Sequence, residues 1–211
     1  MNDVAFQLYG QHGITYFFIH RSSVVGGKKK LSYPYNWPYD HPLVIRSTSG
    51  NAVSIRTGYN DIYDNPKNRK KHRKKHYTLP LVVLDADDKD AIQTVDKLLD
   101  DMCDGIRVPQ VQSQRGESGR HYYFRADGLL SRKLTTKVGL VINGEKTKID
   151  LLAGYNGVGV GNVLAPPTAL TGGGEYKLLD GPPIHEAPHM PVKLARFLLD
   201  IVGTKSAKLS S

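Results

Sequence analysis

The sequence predicts a mixed α/β fold of the α+β kind, and three observations carry that expectation. Residues 79–84 (LPLVVL) form a continuous apolar run of strand length, closed by an acidic turn and followed by a helical period in Ile92, Val95, Leu98, Leu99 and Met102. The dipeptide Asn143-Gly144 separates two strand-like stretches, and this pair readily takes a tight hairpin turn. Leu194, Phe197, Leu198 and Ile201 recur at helical spacing behind Pro191, which suits a first helical turn. With 211 residues and 39% hydrophobic content, the chain can bury a sizeable core, and a single domain over 1–203 is expected.

From the N-terminus, residues 14–19 (ITYFFI) are short, apolar and aromatic, as a buried strand should be. Residues 26–42 mix three prolines with aromatics and lysines, which predicts irregular structure, and 52–56 form a second strand ending at Thr57 and Gly58. In the helix after the acidic turn, Asp90 offers an N-cap with Gln93 three residues on, and Gly105 follows its end. Two strands at 108–112 and 121–125 are joined by the loop SQRGESGR, and 138–142 with 145–152 form the second hairpin, Asp150 lying on its outgoing strand. Residues 154–174 read as loop, 175–179 as a further strand, 191–202 as the C-terminal helix and 204–211 as a disordered tail.

Charge narrows the function. The chain carries 29 Lys plus Arg against 20 Asp plus Glu, a formal net charge of +9, which favours a polyanionic partner with nucleic acid first among the candidates. The tract 65–77 (NPKNRKKHRKKHY) has no apolar face to bury; it is a solvated surface loop or an electrostatic contact for phosphates through Lys70, Lys71, Arg73, Lys74 and Lys75. The single cysteine, Cys103, excludes an internal disulfide framework. No apolar run is long enough for a membrane span and the first residues lack a signal-peptide pattern, so a soluble intracellular protein is expected, in the cytoplasm or at a site of genome replication.

Three carboxylates stand out. Asp85 and Asp87 are two apart, so extended backbone turns both to one side, where their repulsion is relieved by a divalent cation such as magnesium or manganese. Taken alone, such a pair is more often an ordinary acidic loop (LDADDKD) capping the next helix, so context decides. Asp150 is an anion inside an apolar pattern and needs a partner: a metal shared with Asp85 and Asp87, or a salt bridge to Lys146 or Lys148. His121 opens a strand after Arg115, Ser118 and Arg120, a set suited to phosphates, although a lone histidine there is also an ordinary packed residue.

In order, LVVLDAD, RGESGRHYYF, KIDLL and LAPPT resemble the motifs of the prim-pol (bifunctional primase-polymerase) group of the archaeo-eukaryotic primase superfamily. Asp85 and Asp87, then Gly119 to His121, Asp150, Pro166 to Thr168 and Tyr176 fall on its motifs, while Lys28 to Lys30, Trp37 and Ser54 to Gly58 are similar to its opening unit. Three departures stand out: Glu117-Ser118-Gly119 replaces the usual Ser-Gly-Gly, no proline follows the lysines, and the basic tract has no counterpart.

The resemblance implies an N-terminal α/β unit (about 1–78) packed on a catalytic unit like an RNA-recognition-motif sheet (about 79–185), with the active site in the cleft between them. It also implies template-directed nucleotidyl transfer, as a DNA primase or DNA polymerase of plasmid, phage or virus replication. Two Mg2+ or Mn2+ ions would sit on Asp85, Asp87 and Asp150, and His121, Ser118, Arg120 and Arg115 would grip an NTP or dNTP. The implied partners are a single-stranded DNA template, a primer and a replicative helicase, fused or separate. A metal-dependent nuclease and a noncatalytic nucleic-acid binder stay open as alternatives.

Overall fold

A computed structural model of the chain describes residues 2–14, 17–26, 28–32, 50–58, 80–126, 128–153 and 161–203. The basic tract with Lys70, Lys71, Arg73, Lys74 and Lys75, Trp37 and the tail 204–211 lie outside the described residues.

The fold is mixed α/β with antiparallel sheets. Helix α1 (Asn2–Leu8) leads into strands β1 (Phe17–Val25), β2 (Lys28–Ser32) and β3 (Ala52–Thr57). Strand β4 (Leu81–Ala86) is followed by helix α2 (Lys89–Met102) and the hairpin β5 (Gln110–Ser113) and β6 (Gly116–Arg125). Then come β7 (Val141–Ile142), β8 (Glu145–Lys146), β9 (Ile149–Leu152), β10 (Gly161–Ala165), β11 (Lys177–Asp180) and helix α3 (Val192–Gly203). One sheet has the order β10-β3-β1-β2 and a second the order β11-β5-β6-β4-β9, with β7 and β8 forming a small sheet of their own.

Strand β4 divides the interior. Its alternation sends Val82, Leu84 and Ala86 into a core with Ile92, Val95 and Leu98 of α2 and Leu194 and Leu198 of α3. Leu81 and Val83 enter a second core, shared with Ala5, Ile19, Val53 and Ile55 from the N-terminal elements and Val163 from β10. Both faces of this strand are therefore covered, which explains its unbroken apolar run. Asp85 points the same way as Leu81 and Val83.

Several expected boundaries move. β4 ends at Ala86, two residues beyond the apolar run, so Asp85 is paired within the sheet rather than lying in a turn. α2 is capped by Asp88, whose side chain accepts from Ala91 N at 2.8 Å, and Asp90 falls in its first turn. The loop expected at SQRGESGR contracts to a turn at Gln114 and Arg115, because β6 begins at Gly116 with a positive φ of 63°. Asn143 and Gly144 do make the tight turn, with φ of 53° and 85°, but only β7 and β8 flank it, and β9 leaves to pair with β4.

Lys28–Ser32, expected to be irregular, forms an edge strand whose lysines remain exposed, a composition that discourages further pairing. Gly161–Ala165, expected to be loop, pairs with β3 and returns the chain to the first sheet. Neither short segment carries a strong period of its own, so pairing partners decide their state.

Candidate active site

Three strands place the central residues. In the register of the five-stranded sheet, Asp85 of β4 stands opposite His121 of β6 on one side and Asp150 of β9 on the other. Residues directly opposite in paired strands share a face, so His121, Asp85 and Asp150 form one row across the sheet. Neighbours of Asp150 confirm its orientation, since Ile149 and Leu151 are buried in the helix-side core. Asp87 follows just beyond the strand, with its backbone N–H donating to Lys148 O at 3.0 Å.

Asp85 is nearly buried, and its Oδ1 lies 3.3 Å from His121 Nε2 without a well-directed hydrogen bond. His121 is fully enclosed: Nδ1 is 3.4 Å from the Tyr123 hydroxyl, and the rings of Tyr176 and Tyr123 lie 5.5 and 6.2 Å away, centroid to centroid. Lys29 of β2 donates to the Tyr176 hydroxyl at 3.3 Å, which brings a cation from the other sheet to this row. Arg115, on the turn between β5 and β6, holds Asp87 with Nε to Oδ1 at 2.9 Å and Nη2 to Oδ2 at 3.2 Å. Asp150 Oδ1 accepts from Gly139 N at 2.7 Å. Lys148, one of the ion-pair partners considered for Asp150, pairs instead with Asp88 at 2.9 Å.

Electrostatics separates the three acids. Burial pushes the Asp85 carboxyl up, but His121, Lys29 and Arg115 together outweigh it and hold the group below the ordinary aspartate range. Asp87 is raised, by burial first and by the charge of Asp85, against the opposing pull of Arg115. Asp150 is raised by burial first, with Asp85 and Asp87 adding to it, although the Gly139 N–H opposes the shift. Burial first, and the charge of Asp85 after it, thus raise two of the three carboxylates while the third is lowered. Cys103, by contrast, caps α2 with its thiol pushed up to about 11 by burial, which leaves little thiolate for nucleophilic chemistry.

Turns and glycines build the rim. At Gly119 a β-carbon would lie 2.1 Å from Ser113 Oγ and 2.9 Å from Arg115 Cβ, so only glycine lets the turn carrying Arg115 fold onto β6. On the other side, Thr168 Oγ1 accepts from Val53 N at 2.8 Å and donates to Ala165 O at 2.6 Å, and Thr168 O accepts from Tyr176 N at 2.8 Å. That relay fixes Tyr176 beside His121. The Tyr9 hydroxyl donates to Pro166 O, tying the N-terminal segment to the same turn.

The structure brings Asp85, Asp87, Asp150, His121 and Arg115 together. Arg120 goes elsewhere: it lies opposite Gln112 and Ala86, donates to Gln110 Oε1 at 3.0 Å and stands 4.0 Å from Asp96 of α2, on the helix side of the sheet. Strand alternation separates it from His121, its neighbour in sequence. Ser118 is half-buried within β6, its N–H directed at Arg115 O at 3.4 Å.

Residues 44–190 match the family model described as bifunctional DNA primase/polymerase, N-terminal, over more than half of the chain. The chain belongs to the Prim-Pol family. No curated protein sequence matches it. The Prim-Pol match spans every member of the carboxylate row, Arg115 and Tyr176, whereas Lys29 and Tyr9 reach the site from outside the matched residues. Membership carries a primase or polymerase activity in replication as the family's function. Among the described residues no helix is long and apolar enough to cross a membrane.

The donor set suits a hard divalent cation: three carboxylates from two neighbouring strands, one of them with a buried oxygen short of a hydrogen-bond donor. As the side chains stand, no three His, Cys, Asp or Glu groups among the described residues are gathered tightly enough to hold an ion. Arg115 holds Asp87, and the Gly139 N–H holds Asp150. Lys29 and Tyr176 complete the site. Their signal in the sequence was the family resemblance, through the lysine run for Lys29 and the position after the Pro-Pro turn for Tyr176.

Proposed function

We propose that this Prim-Pol chain catalyses template-directed nucleotidyl transfer onto a 3′-hydroxyl, as a DNA primase, a DNA polymerase or both. The row His121, Asp85 and Asp150, with Asp87 beside it and Lys29 and Arg115 above, is the observation that carries the reading. It sets an anionic seat next to cations that match a triphosphate. One domain over 1–203 is proposed, with the N-terminal sheet as the α/β unit and the five-stranded sheet with its helices as the RNA-recognition-motif-like unit. The second core, which mixes Ala5 and Ile19 with Tyr123 and Ala187, supports that unity.

Asp85, Asp87 and Asp150 are assigned as ligands of two Mg2+ or Mn2+ ions, which when bound would lower the pKa of the attacking hydroxyl and neutralise charge at the α-phosphate and pyrophosphate. The protein's own part is positioning. Asp85, held ionised by His121, Lys29 and Arg115, is ready to ligate at neutral pH. His121 is assigned to the phosphates of the incoming nucleotide, oriented by Tyr123 and Tyr176, and Lys29 and Arg115 supply positive charge to the same group. Burial of Asp85 and His121 keeps the interaction between them poorly screened, whereas Lys29 and Arg115 act from the exposed rim.

The template is proposed to be single-stranded DNA in plasmid, phage or viral replication, on the motif resemblance. Lys70, Lys71, Arg73, Lys74 and Lys75 are proposed, on charge alone, to touch its phosphates or those of the primer. Neutralising all five should flatten the plot of log affinity against log salt by up to about 3 units, and an unchanged slope would return the tract to a solvated loop.

Incubation with a single-stranded template, Mn2+ or Mg2+ and labelled ribo- or deoxyribonucleotides should give incorporation that disappears in Asp87→Ala. Cleavage of labelled DNA without incorporation would instead establish the nuclease. Binding of DNA with neither reaction, unchanged in Asp87→Ala, would establish the noncatalytic binder.

A further inference from the structure

Arg115 forks onto Asp87, and the fork takes up both carboxylate oxygens, at 2.9 and 3.2 Å. Within the reading above, on which this inference rests, Asp87 must offer oxygen to a divalent ion, and the nucleotide phosphates need a cation. The guanidinium and a divalent ion compete for the same Asp87 oxygens, and the Nε and Nη2 donors of the fork are not available to phosphate while it stays closed. Its surroundings permit a change of partner. Arg115 sits on a two-residue turn with half of its side chain exposed, whereas His121 is locked between Asp85, Tyr123 and Tyr176. Arg115 N donates to Ser113 Oγ at 3.3 Å, which ties down the root of the side chain and leaves its long stem to swing. A carboxylate and a phosphate present the same pair of oxygens to a guanidinium, so the fork is equally at home on either.

We propose that Arg115 is a partner-exchanging residue: in the resting site it closes Asp87 to divalent ions, and on loading it passes from Asp87 to the phosphates of the incoming nucleotide. Removing it should therefore move two affinities in opposite directions. The metal loses a competitor while the nucleotide loses a contact. A residue that merely props up the turn would move both the same way or neither.

Calorimetric titration of the full chain tests this, with Mn2+ alone and then with dATP at saturating Mn2+, in wild type, Arg115→Ala, Arg115→Lys and the Arg115→Ala/Asp87→Asn double variant. Arg115→Ala should bind Mn2+ about three- to fivefold more tightly than wild type, the weight of a half-exposed ion pair. It should bind dATP about ten- to a hundredfold more weakly, as expected for loss of a charge-assisted contact. Arg115→Lys keeps the charge but not the fork, so it too should bind Mn2+ more tightly than wild type. Mn2+ affinity in Arg115→Ala equal to or below wild type overturns the exchange, as does Arg115→Lys matching wild type, which would leave only a general effect of charge. Mn2+ binding that is absent even in Arg115→Ala, or that in Arg115→Ala is unaffected by adding Asp87→Asn, removes the metal reading itself and the exchange with it; thermal melting of each variant separates these results from misfolding.

Discussion

The two faces of the β4 and β6 pair are built from alternate residues of the same ten-odd positions, yet they do opposite things. Toward α2 and α3, Val82, Leu84, Ala86, Tyr122 and Phe124 make an apolar surface whose polar groups, the Tyr122 hydroxyl on Asp96 at 2.7 Å and Arg120 on Gln110 at 3.0 Å, are tied to neighbours. Toward the first sheet, Leu81, Val83 and Tyr123 give way within one residue step to Asp85 and His121. The apolar face supplies the stability that the charged face spends on holding like charges together. A position on one face should therefore be felt in activity, and its neighbour on the other in folding.

Asp85→Asn should give the largest effect, a loss of nucleotide incorporation of at least about a hundredfold with secondary structure retained by circular dichroism. Substantial residual incorporation would detach the row from the chemistry. One residue back, Leu84→Ala opens a cavity on the helix face and should lower unfolding stability by about 2–5 kcal/mol in denaturant titration. Its activity per folded molecule should stay near wild type; a specific loss there would mean that the faces are not separable.

His121→Ala should weaken nucleotide binding about ten- to hundredfold while Mn2+ still raises the melting temperature, because Asp85, Asp87 and Asp150 remain. Collapse of the Mn2+ effect would make His121 a ligand rather than a phosphate contact.

The smallest effect lies in the pH dependence of the metal-free protein. Asp87 and Asp150 hold their protons more tightly when folded, so they contribute stability that is complete below the free-aspartate value of 3.8 and is lost as pH rises through their raised values. Asp85, with its lowered value, contributes stability above 3.8 that is lost as pH falls through its folded value. In EDTA, the Asp87→Asn/Asp150→Asn double variant should gain most over wild type near pH 7, and the gain should shrink toward pH 4. A constant difference across that range would contradict the raised values.

Local pattern carried much of this organisation. The apolar run before Asp85, the period of α2 and the turn at Asn143-Gly144 are each decided by a few neighbouring residues, so the sequence shows them directly. Their edges shifted where pairing, not composition, sets the end: β4 takes in Asp85 because His121 and Asp150 pair with it. Strand β10 was invisible for the same reason, since Gly161–Ala165 becomes a strand only by meeting β3.

The sequence by itself determined that Asp85 and Asp87 follow a buried apolar run and that Asp150 interrupts another, whereas His121, expected to open a strand, lies in the middle of β6. Spacing along one chain segment is enough for the carboxylates, because side-chain direction in a strand follows from its period of two. Only the tertiary structure decided which of these share a row, that Arg120 turns to Asp96 while Arg115 takes Asp87, and that Lys29 arrives from another sheet. Those facts depend on register and on packing between segments far apart in the chain, and charge acts through space at distances that sequence separation does not measure.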